Sequence, residues 1–175
     1  MIKLTDLLLE NRKLEYGCVL LNLYSPGIFK LHQLIKSEDI YIDPVDPSFG
    51  LEKEPHCTLL FGLHQEVTDD QVFHSLKEIE YSDCILHNLS IFPSEKYDVL
   101  KFDVRGKGLS ESNKRLSELP HTSTYPQYHP HCTVAYLKKG TSDKYVARGK
   151  QWRWHAKKGD VVYSKTNGTK VIINL

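Results

Sequence analysis

Pro-His-Cys-Thr occurs twice in the chain, in the stretches Pro55-His56-Cys57-Thr58-Leu59-Leu60 and Pro130-His131-Cys132-Thr133-Val134-Ala135. Each copy opens an apolar run with the composition of a β-strand. Side chains alternate between the two faces of a strand, so the histidine and threonine of each copy share one face and the cysteine points to the other. The sequence therefore predicts an imidazole beside a hydroxyl on each of two strands.

Two such pairs suit acid–base chemistry at a phosphodiester. The ordinary pKa of histidine lies near neutrality, so one imidazole can accept a proton while the other donates one. Each role typically contributes about a hundredfold to ten-thousandfold in rate. The threonine hydroxyls can donate hydrogen bonds to the non-bridging phosphate oxygens. Together these groups would support in-line displacement by a ribose 2′-hydroxyl or a water, without a metal ion.

The structural interpretation has to be weighed beside the catalytic one. A single His-x-Thr on a strand is more often an ordinary surface or core histidine next to an ordinary threonine. Here the same four residues head two apolar strands, and the other seven histidines show no such repeat. The duplication favours a catalytic role for both copies.

These residues resemble the 2H phosphoesterases, a family named for two H-x-[ST]-Φ motifs on pseudo-symmetric lobes. The family pattern falls on four positions of this chain, which the resemblance implies are catalytic: His56, Thr58, His131 and Thr133. It also implies a bilobal α+β fold, with two antiparallel sheets lining a central cleft and helices outside. The resemblance covers nearly the whole chain.

The flanking residues are most similar to those of the phage anti-CBASS nucleases within that superfamily. The similar stretches are those from Glu54 to Leu63 and from Tyr128 to Lys138. Such enzymes degrade the cyclic di- and trinucleotide messengers of bacterial antiviral signalling. The resemblance thus implies a metal-independent phosphodiesterase that hydrolyses 3′–5′ linkages of cyclic oligonucleotides, and it supports a ligand contact at Tyr24.

Substrate-binding candidates are aromatic side chains that could stack on bases and basic ones that could meet phosphates. The first choice is Tyr24, at the end of the first predicted strand, although a core position there is an equal alternative. Trp154, or its neighbour Trp152, could close over a base, but core packing is the more common role. Lys138 represents a basic group that also contains Lys139, Lys144 and Arg148, and weaker candidates are Tyr125, Tyr128 and His129.

Composition and cysteine usage indicate an ordinary intracellular protein. The chain has 175 residues, 40% of them hydrophobic and 26% charged, which suits one globular domain spanning residues 1–175. Its four cysteines show no metal-binding spacing, and neighbouring His-Cys residues face opposite ways on a strand, which disfavours zinc. No export signal or membrane span is recognisable. We expect a cytoplasmic monomer without cofactor, located in the host cytoplasm if the chain is phage-encoded.

The net charge of +1 conceals an asymmetry. From Lys138 to Leu175 there are ten Lys or Arg against two Asp, so the preceding part of the chain is acidic. A basic side could attract an anionic ligand, although a solvated basic surface is an equal alternative. The acidic remainder disfavours binding of extended duplex nucleic acid.

Periodicity and turn residues predict an alternation of strands and helices. Strands are expected near 16–24, 40–43, 56–63, 84–92, 97–105 and 131–137, and two or three more in the tail with turns at Gly159-Asp160 and Asn167-Gly168. Helices are expected near 3–12, 26–37, 68–80, 109–119 and 141–148. The two motif strands are expected to be central strands of opposite lobes, with their inward faces lining the cleft.

Two other functions stay open. A second branch of the same superfamily acts on RNA ends as a 2′,3′-cyclic phosphodiesterase. A binding module that sequesters nucleotides without cleaving them is a rival from a different class. The matched His and Thr of the two motifs favour catalysis, because a simple binder needs no pair of titrating groups at equivalent positions.

Overall fold

A computed structural model of the protein describes residues 15–123 and 127–175. The strands are β1 Gly17–Tyr24, β2 His56–Leu63, β3 Cys84–Pro93, β4 Tyr97–Arg105, β5 His131–Lys138, β6 Trp154–Ser164 and β7 Lys170–Ile173. The helices are α1 Pro26–Leu34, α2 Asp69–Leu76, α3 Leu109–Leu116 and α4 Asp143–Gly149, with a 3-10 turn at Ser37–Asp39. The predicted helix at 3–12 and the candidate Tyr125 lie outside the described residues.

All strand pairs are antiparallel, and the order across the sheet is β2-β1-β6-β3-β4-β5, with β7 added on β6. The first half contains β2, β1, the C-terminal part of β6 and β7, and the second half contains β3, β4 and β5. This arrangement confirms the predicted α+β class with two antiparallel halves. Because β6 pairs with both β1 and β3, the halves form one hydrogen-bonded sheet.

The predicted turn at Gly159-Asp160 is wrong, because β6 runs straight through it. The register with β1 slips there, so the extra residue is absorbed as a bulge. A Cβ atom at Gly159 would come within 2.6 Å of the Tyr24 ring and 3.1 Å of the Asn22 Cβ. Glycine is needed for this close approach of two strands, which explains a turn-like residue inside a strand.

The prediction that the two motif strands are central is also wrong. β2 and β5 are the two ends of the strand order. They nevertheless contact each other, so the two ends of the sheet come together. The outer edge of β5 pairs with the loop that leads into β2, through a bridge between Leu51 and Ala135 and another between Ile40 and Leu137. Ile40 makes only this isolated bridge and begins no strand.

Two of the four described helices pack against the half that they do not follow in the chain. α1 follows β1 but contacts β5, and α3 follows β4 but contacts β2 and α2. Thr68 caps α2 through a capping box with Gln71, whereas Ser25 makes no capping hydrogen bond to α1. The first three helices end three or four residues earlier than predicted. These crossed contacts tie the two halves together around one buried core.

The tail contains the second predicted turn. Between β6 and β7 the Lys165 amide donates to the Thr169 carbonyl at 2.9 Å, and Gly168 has a φ of +84°. The Asn167-Gly168 pair therefore forms the hairpin turn that its sequence indicates. Among the described residues, no helix has the length and apolarity to cross a membrane.

Candidate active site

Both motif strands bulge at the same place. On β2, Thr58 pairs with Leu20 and Leu60 pairs with Val19, so Leu59 is the extra residue. On β5, Thr133 pairs with Lys101 and Ala135 with Leu100, so Val134 is the extra residue. In each strand the residue after the motif threonine is therefore unpaired, and two consecutive buried residues follow the threonine.

The carbonyls of the two bulge residues bond to groups outside the sheet. The Asn113 side chain of α3 donates to the Leu59 carbonyl at 2.7 Å. The Val134 carbonyl accepts from His32 Nε2 of α1 at 2.8 Å and from the Glu52 amide at 2.9 Å. Because each bulge is fixed by a helix side chain, the position of each motif is defined by more than its strand pairing.

The two motif histidines are held in the same way. His56 Nδ1 donates to the Glu54 carbonyl at 2.7 Å, and His131 Nδ1 donates to the His129 carbonyl at 2.8 Å. A carbonyl can only accept, so the hydrogen is on Nδ1 in both rings. In each histidine this leaves Nε2 as the nitrogen that can accept a proton, or donate one when the ring is charged.

The cysteines between each His and Thr connect the two motifs. The Cys57 thiol interacts with the backbone amide of His131, and the Cys132 thiol interacts with the backbone amide of His56. Both thiols are fully buried, and burial raises the pKa of Cys57 to about 12. A third link comes from Tyr128, whose hydroxyl donates to the Thr58 carbonyl at 3.1 Å. The reciprocal contacts are those expected of a pseudo-twofold axis between the motifs.

The structure thus brings His56 and His131 close enough to influence each other. Burial lowers the pKa of His131, and the positive charges of Lys101, His129 and His56 lower it further. The hydrogen bond to the His129 carbonyl acts in the opposite direction without reversing the shift. His131 therefore favours the neutral form more than a solvent-exposed histidine does.

The two motif threonines share the faces of their histidines, as predicted. Both side chains are half-buried, while the residues on either side of each are buried. Within residues 15–123 and 127–175, neither hydroxyl has a hydrogen-bond partner in the protein. Both are therefore available to a ligand. In the same part of the chain, no group of His, Cys, Asp or Glu is arranged to hold a metal ion.

A charged group that the sequence did not indicate lies beside the second motif. Lys101 is directly opposite Thr133, and Asp103 is directly opposite His131. The Lys101 ammonium is buried, pairs with Asp103 and lies 4.6 Å from the centre of the Phe92 ring. The only signal for this group was the alternation of charged and apolar residues in β4, which is equally typical of a solvated strand face.

Tyr24 lies on the face that carries the first motif. His56 pairs with Asn22, and Tyr24 follows two residues later on the same face of β1. Its side chain is 58% exposed. The aromatic ring is thus available beside His56 instead of belonging to the core.

Trp154 lies on the opposite face from the motif residues. It pairs with Leu86, and its ring packs 5.0 Å from Phe102 and 5.0 Å from Trp152. A Cβ at Gly27 would lie only 2.4 Å from the Trp154 ring, which shows how closely α1 approaches it. In this position the side chain is a packing element, and the predicted base contact has no geometric support.

Lys138 is exposed but distant from the motif. It lies five residues beyond Thr133, about 16 Å at the rise of a strand. Between them, Tyr136 packs in a group of aromatic rings with Tyr41, Phe49 and Tyr97. Lys138 could therefore meet only a part of a ligand remote from the reacting phosphate.

Part of the basic charge of the tail is neutralised within the fold. Four of its lysines pair with carboxylates from the preceding part of the chain: Lys139 with Asp98, Lys144 with Asp39, Lys165 with Asp69 and Lys170 with Glu54. Lys139 and Lys144, two of the candidate phosphate contacts, are thus engaged elsewhere. A cavity of about 650 Å³ lined by residues 65–70, Tyr163 and residues 165–167 contains none of the motif residues.

The fold is similar to a solved structure, Usb1 from Kluyveromyces marxianus with uridine monophosphate. The TM-score is 0.53 with 9% sequence identity, and the match covers 92% of this chain and 98% of that one. No protein-family model and no curated protein sequence matches the chain. The similarity extends over both halves of the sheet and therefore concerns the whole fold.

Proposed function

We propose that the protein is a phosphodiesterase of the 2H type that hydrolyses 3′–5′ linkages of cyclic di- and trinucleotides without a metal ion. The observation that carries this proposal is the matched arrangement of the two motifs. Each histidine has Nδ1 bonded to a backbone carbonyl and Nε2 available, and each lies beside a threonine hydroxyl with no protein partner among the described residues. A pair of proton-transfer groups with two hydroxyl donors suits a phosphoryl centre.

The first step is an attack by a ribose 2′-hydroxyl on the adjacent phosphorus. The neutral histidine accepts the hydroxyl proton at Nε2 as the O2′–P bond forms. The bond from phosphorus to the 5′-oxygen breaks, and the protonated histidine gives its Nε2 proton to that oxygen. Thr58 and Thr133 donate to the non-bridging oxygens, whose charge increases in the transition state.

In the second step, water opens the resulting 2′,3′-cyclic phosphate with the histidine roles reversed. The histidine that lost its proton now takes one from water, and the other returns a proton to the ribose oxygen. The sum of the two steps is hydrolysis of one linkage, and both histidines end in their starting states. Two imidazoles of opposite protonation are sufficient for this cycle.

Tyr24 is the proposed base-stacking residue, because it is exposed on the face of His56. The phage anti-CBASS resemblance supports a cyclic oligonucleotide substrate and hence a role against CBASS antiviral signalling. The similar fold of Usb1, a structure that contains a uridine nucleotide, supports a nucleotide ligand in general. An RNA end with a 2′,3′-cyclic phosphate is the second candidate substrate, because another branch of the superfamily that the sequence resembles acts on such ends.

The experiment is a substrate panel with excess EDTA present. Cyclic dinucleotides, cyclic trinucleotides and RNA ending in a 2′,3′-cyclic phosphate are incubated with the protein, and products are separated by chromatography. Opening of the cyclic oligonucleotides supports the proposal. Turnover of RNA ends alone selects the other branch of the superfamily, and ligand binding without any product indicates a binding module. Activity that disappears in EDTA and returns with a divalent ion contradicts the metal-independent mechanism.

A further inference from the structure

The two motifs are nearly symmetric, but their neighbours are not. In the first half, Asn22 faces His56 and Leu20 faces Thr58. At the equivalent positions of the second half, Asp103 faces His131 and Lys101 faces Thr133. The neutral pair of one half is thus replaced by an ion pair in the other, in direct register with the motif.

The ion pair is built into the fold. The Lys101 side chain is 5% exposed and that of Asp103 is 15% exposed. Asp103 also accepts from Asn88 Nδ2 at 2.5 Å and lies 2.9 Å from His129 Nε2. Asn88 reaches this position with a φ of +53°, at the residue pair where β3 slips against β4. Several elements therefore converge to hold two charges beside one motif.

The surroundings of His131 combine charges from four elements. Lys101 and Asp103 come from β4, and His129 comes from the loop before β5. His87 of β3 lies opposite Asp103, and His56 approaches from β2. The sixth neighbour, Phe92, is uncharged and packs its ring 5.0 Å from that of His131. Lys101 is the one permanent cation in this set.

We propose that Lys101, held in place by Asp103, is a positioning residue that breaks the symmetry of the two motifs and makes His131 the proton acceptor of the first step, with His56 as the donor. The assignment to a catalytic step rests on the proposed function. Lys101 opposes a positive charge on His131, whereas the strand partner of His56 is the uncharged Asn22.

Removing one charge of the ion pair at a time should shift the pKa of His131 in opposite directions. Lys101→Met removes the cation and leaves the Asp103 anion unpaired, so the pKa of His131 should rise. Asp103→Asn leaves the Lys101 cation unpaired, so the pKa of His131 should fall. The double variant removes both charges and should lie between the two single variants. Loss of packing alone would not move the pKa in opposite directions.

The first measurement is independent of activity. The ring signals of His131 are followed by NMR against pH, after assignment with His131→Gln. Lys101→Arg should titrate like the original protein, as should Lys139→Met, which removes a lysine paired with Asp98 elsewhere. Opposite displacements in Lys101→Met and Asp103→Asn support the proposal. An unchanged pKa of His131 in both variants overturns the proposal. If Lys101→Met does not fold, Asp103→Asn alone is the test, and a lowered pKa of His131 in that variant supports the proposal while an unchanged or raised one overturns it.

The second measurement is the pH profile of kcat/KM on a cyclic dinucleotide. Its acidic limb reports the group that must be deprotonated in the free enzyme. This limb should move to higher pH in Lys101→Met and to lower pH in Asp103→Asn. Movement of the alkaline limb instead would overturn the assignment of His131 as acceptor. If no substrate is turned over, the proposed function fails, while the NMR titration still decides whether the pair controls His131.

Discussion

Leu59 and Val134 occupy the same position in the two motifs, and each is the unpaired residue of a β-bulge. Each bulge directly follows the motif threonine, and each has its carbonyl bonded by a helix side chain, Asn113 or His32. A bulge bends its strand and increases the local twist. The shared bulge therefore gives the His-x-Thr segment the same local geometry in both halves, beyond what the repeated sequence alone provides.

Replacement of either motif histidine should abolish turnover. We expect His56→Ala and His131→Ala each to lower kcat by about a hundredfold to ten-thousandfold, because each removes one proton-transfer group. The measurement is the initial rate of cyclic dinucleotide opening. His74→Ala is the matched control, since His74 is an exposed histidine of α2 that donates to the Asp70 carbonyl of its own helix. Full activity in His56→Ala or His131→Ala would contradict the mechanism.

The threonine hydroxyls should matter mainly in the transition state. Thr58→Val and Thr133→Val keep the shape of the side chain but lose the donor. Loss of one such donor typically costs about a hundredfold to a thousandfold in kcat, and KM should change much less. Thr58→Ser and Thr133→Ser should retain most of the rate. If KM increased and kcat did not change, the hydroxyls would stabilise the bound substrate as much as the transition state.

Tyr24 should contribute to binding through its ring. Stacking on a base is worth about 1–3 kcal/mol, so Tyr24→Ala should weaken ligand binding by roughly fivefold to more than a hundredfold. Tyr24→Phe should bind nearly as well as the original. Calorimetry with a His56→Ala background avoids turnover of the ligand. Phe29→Ala provides the control, because Phe29 is a similarly exposed ring on α1; equal losses in both variants would contradict a specific contact.

Trp154 should affect stability more than binding. Its ring packs between Phe102, Trp152 and the backbone at Gly27. Trp154→Ala should lower the free energy of unfolding by about 3 kcal/mol, the low end of the range for large aromatic side chains, because Trp154 is only partly buried. Urea denaturation measures this change. A variant of undiminished stability with weakened ligand binding would restore the base-stacking role.

Asp103 should make the stability of the fold depend on acidity. Burial by itself would raise the pKa of Asp103, but hydrogen bonds from Lys101, Asn88 and His129 outweigh it and hold the pKa at about 2. The folded pKa is below the ordinary value of 3.8, so the contribution is complete above that value and is lost as pH falls towards about 2. The free energy of unfolding should fall less steeply over this range in Asp103→Asn. Parallel curves for the two proteins would contradict the shift.

The motif strands show what alternation alone can predict. A period of two is a property of any strand, so the shared face of His56 and Thr58 and the burial of Cys57 follow from sequence. Strand register is different, because it depends on which strands pair and where they slip. Lys101 could not be placed opposite Thr133 without the bulge at Val134. The ion pair beside the second motif was therefore beyond the reach of the sequence.

Local signals were also misleading where tertiary contacts override them. Gly159-Asp160 has the composition of a turn, but the glycine serves the close approach of Tyr24 and Asn22. Trp154 could be assigned to either face only after the pairing of β6 with β3 was known. The repeated motif predicted the chemistry of the site, whereas the identity of its neighbours required the fold.

The shared strand β6 has a consequence for how the protein is made. The second half consists of strands β3 to β5, which are consecutive in the chain, whereas the first half combines β1 and β2 with strands from the far end. During translation the second half can pair its three strands as soon as it emerges. The first half must keep β1 without its inner partner until β6 has been synthesised. The hydrogen-bonded sheet that unites the two halves is thus completed late in biosynthesis, whereas the direct contact between the motif strands β2 and β5 needs no residue of β6.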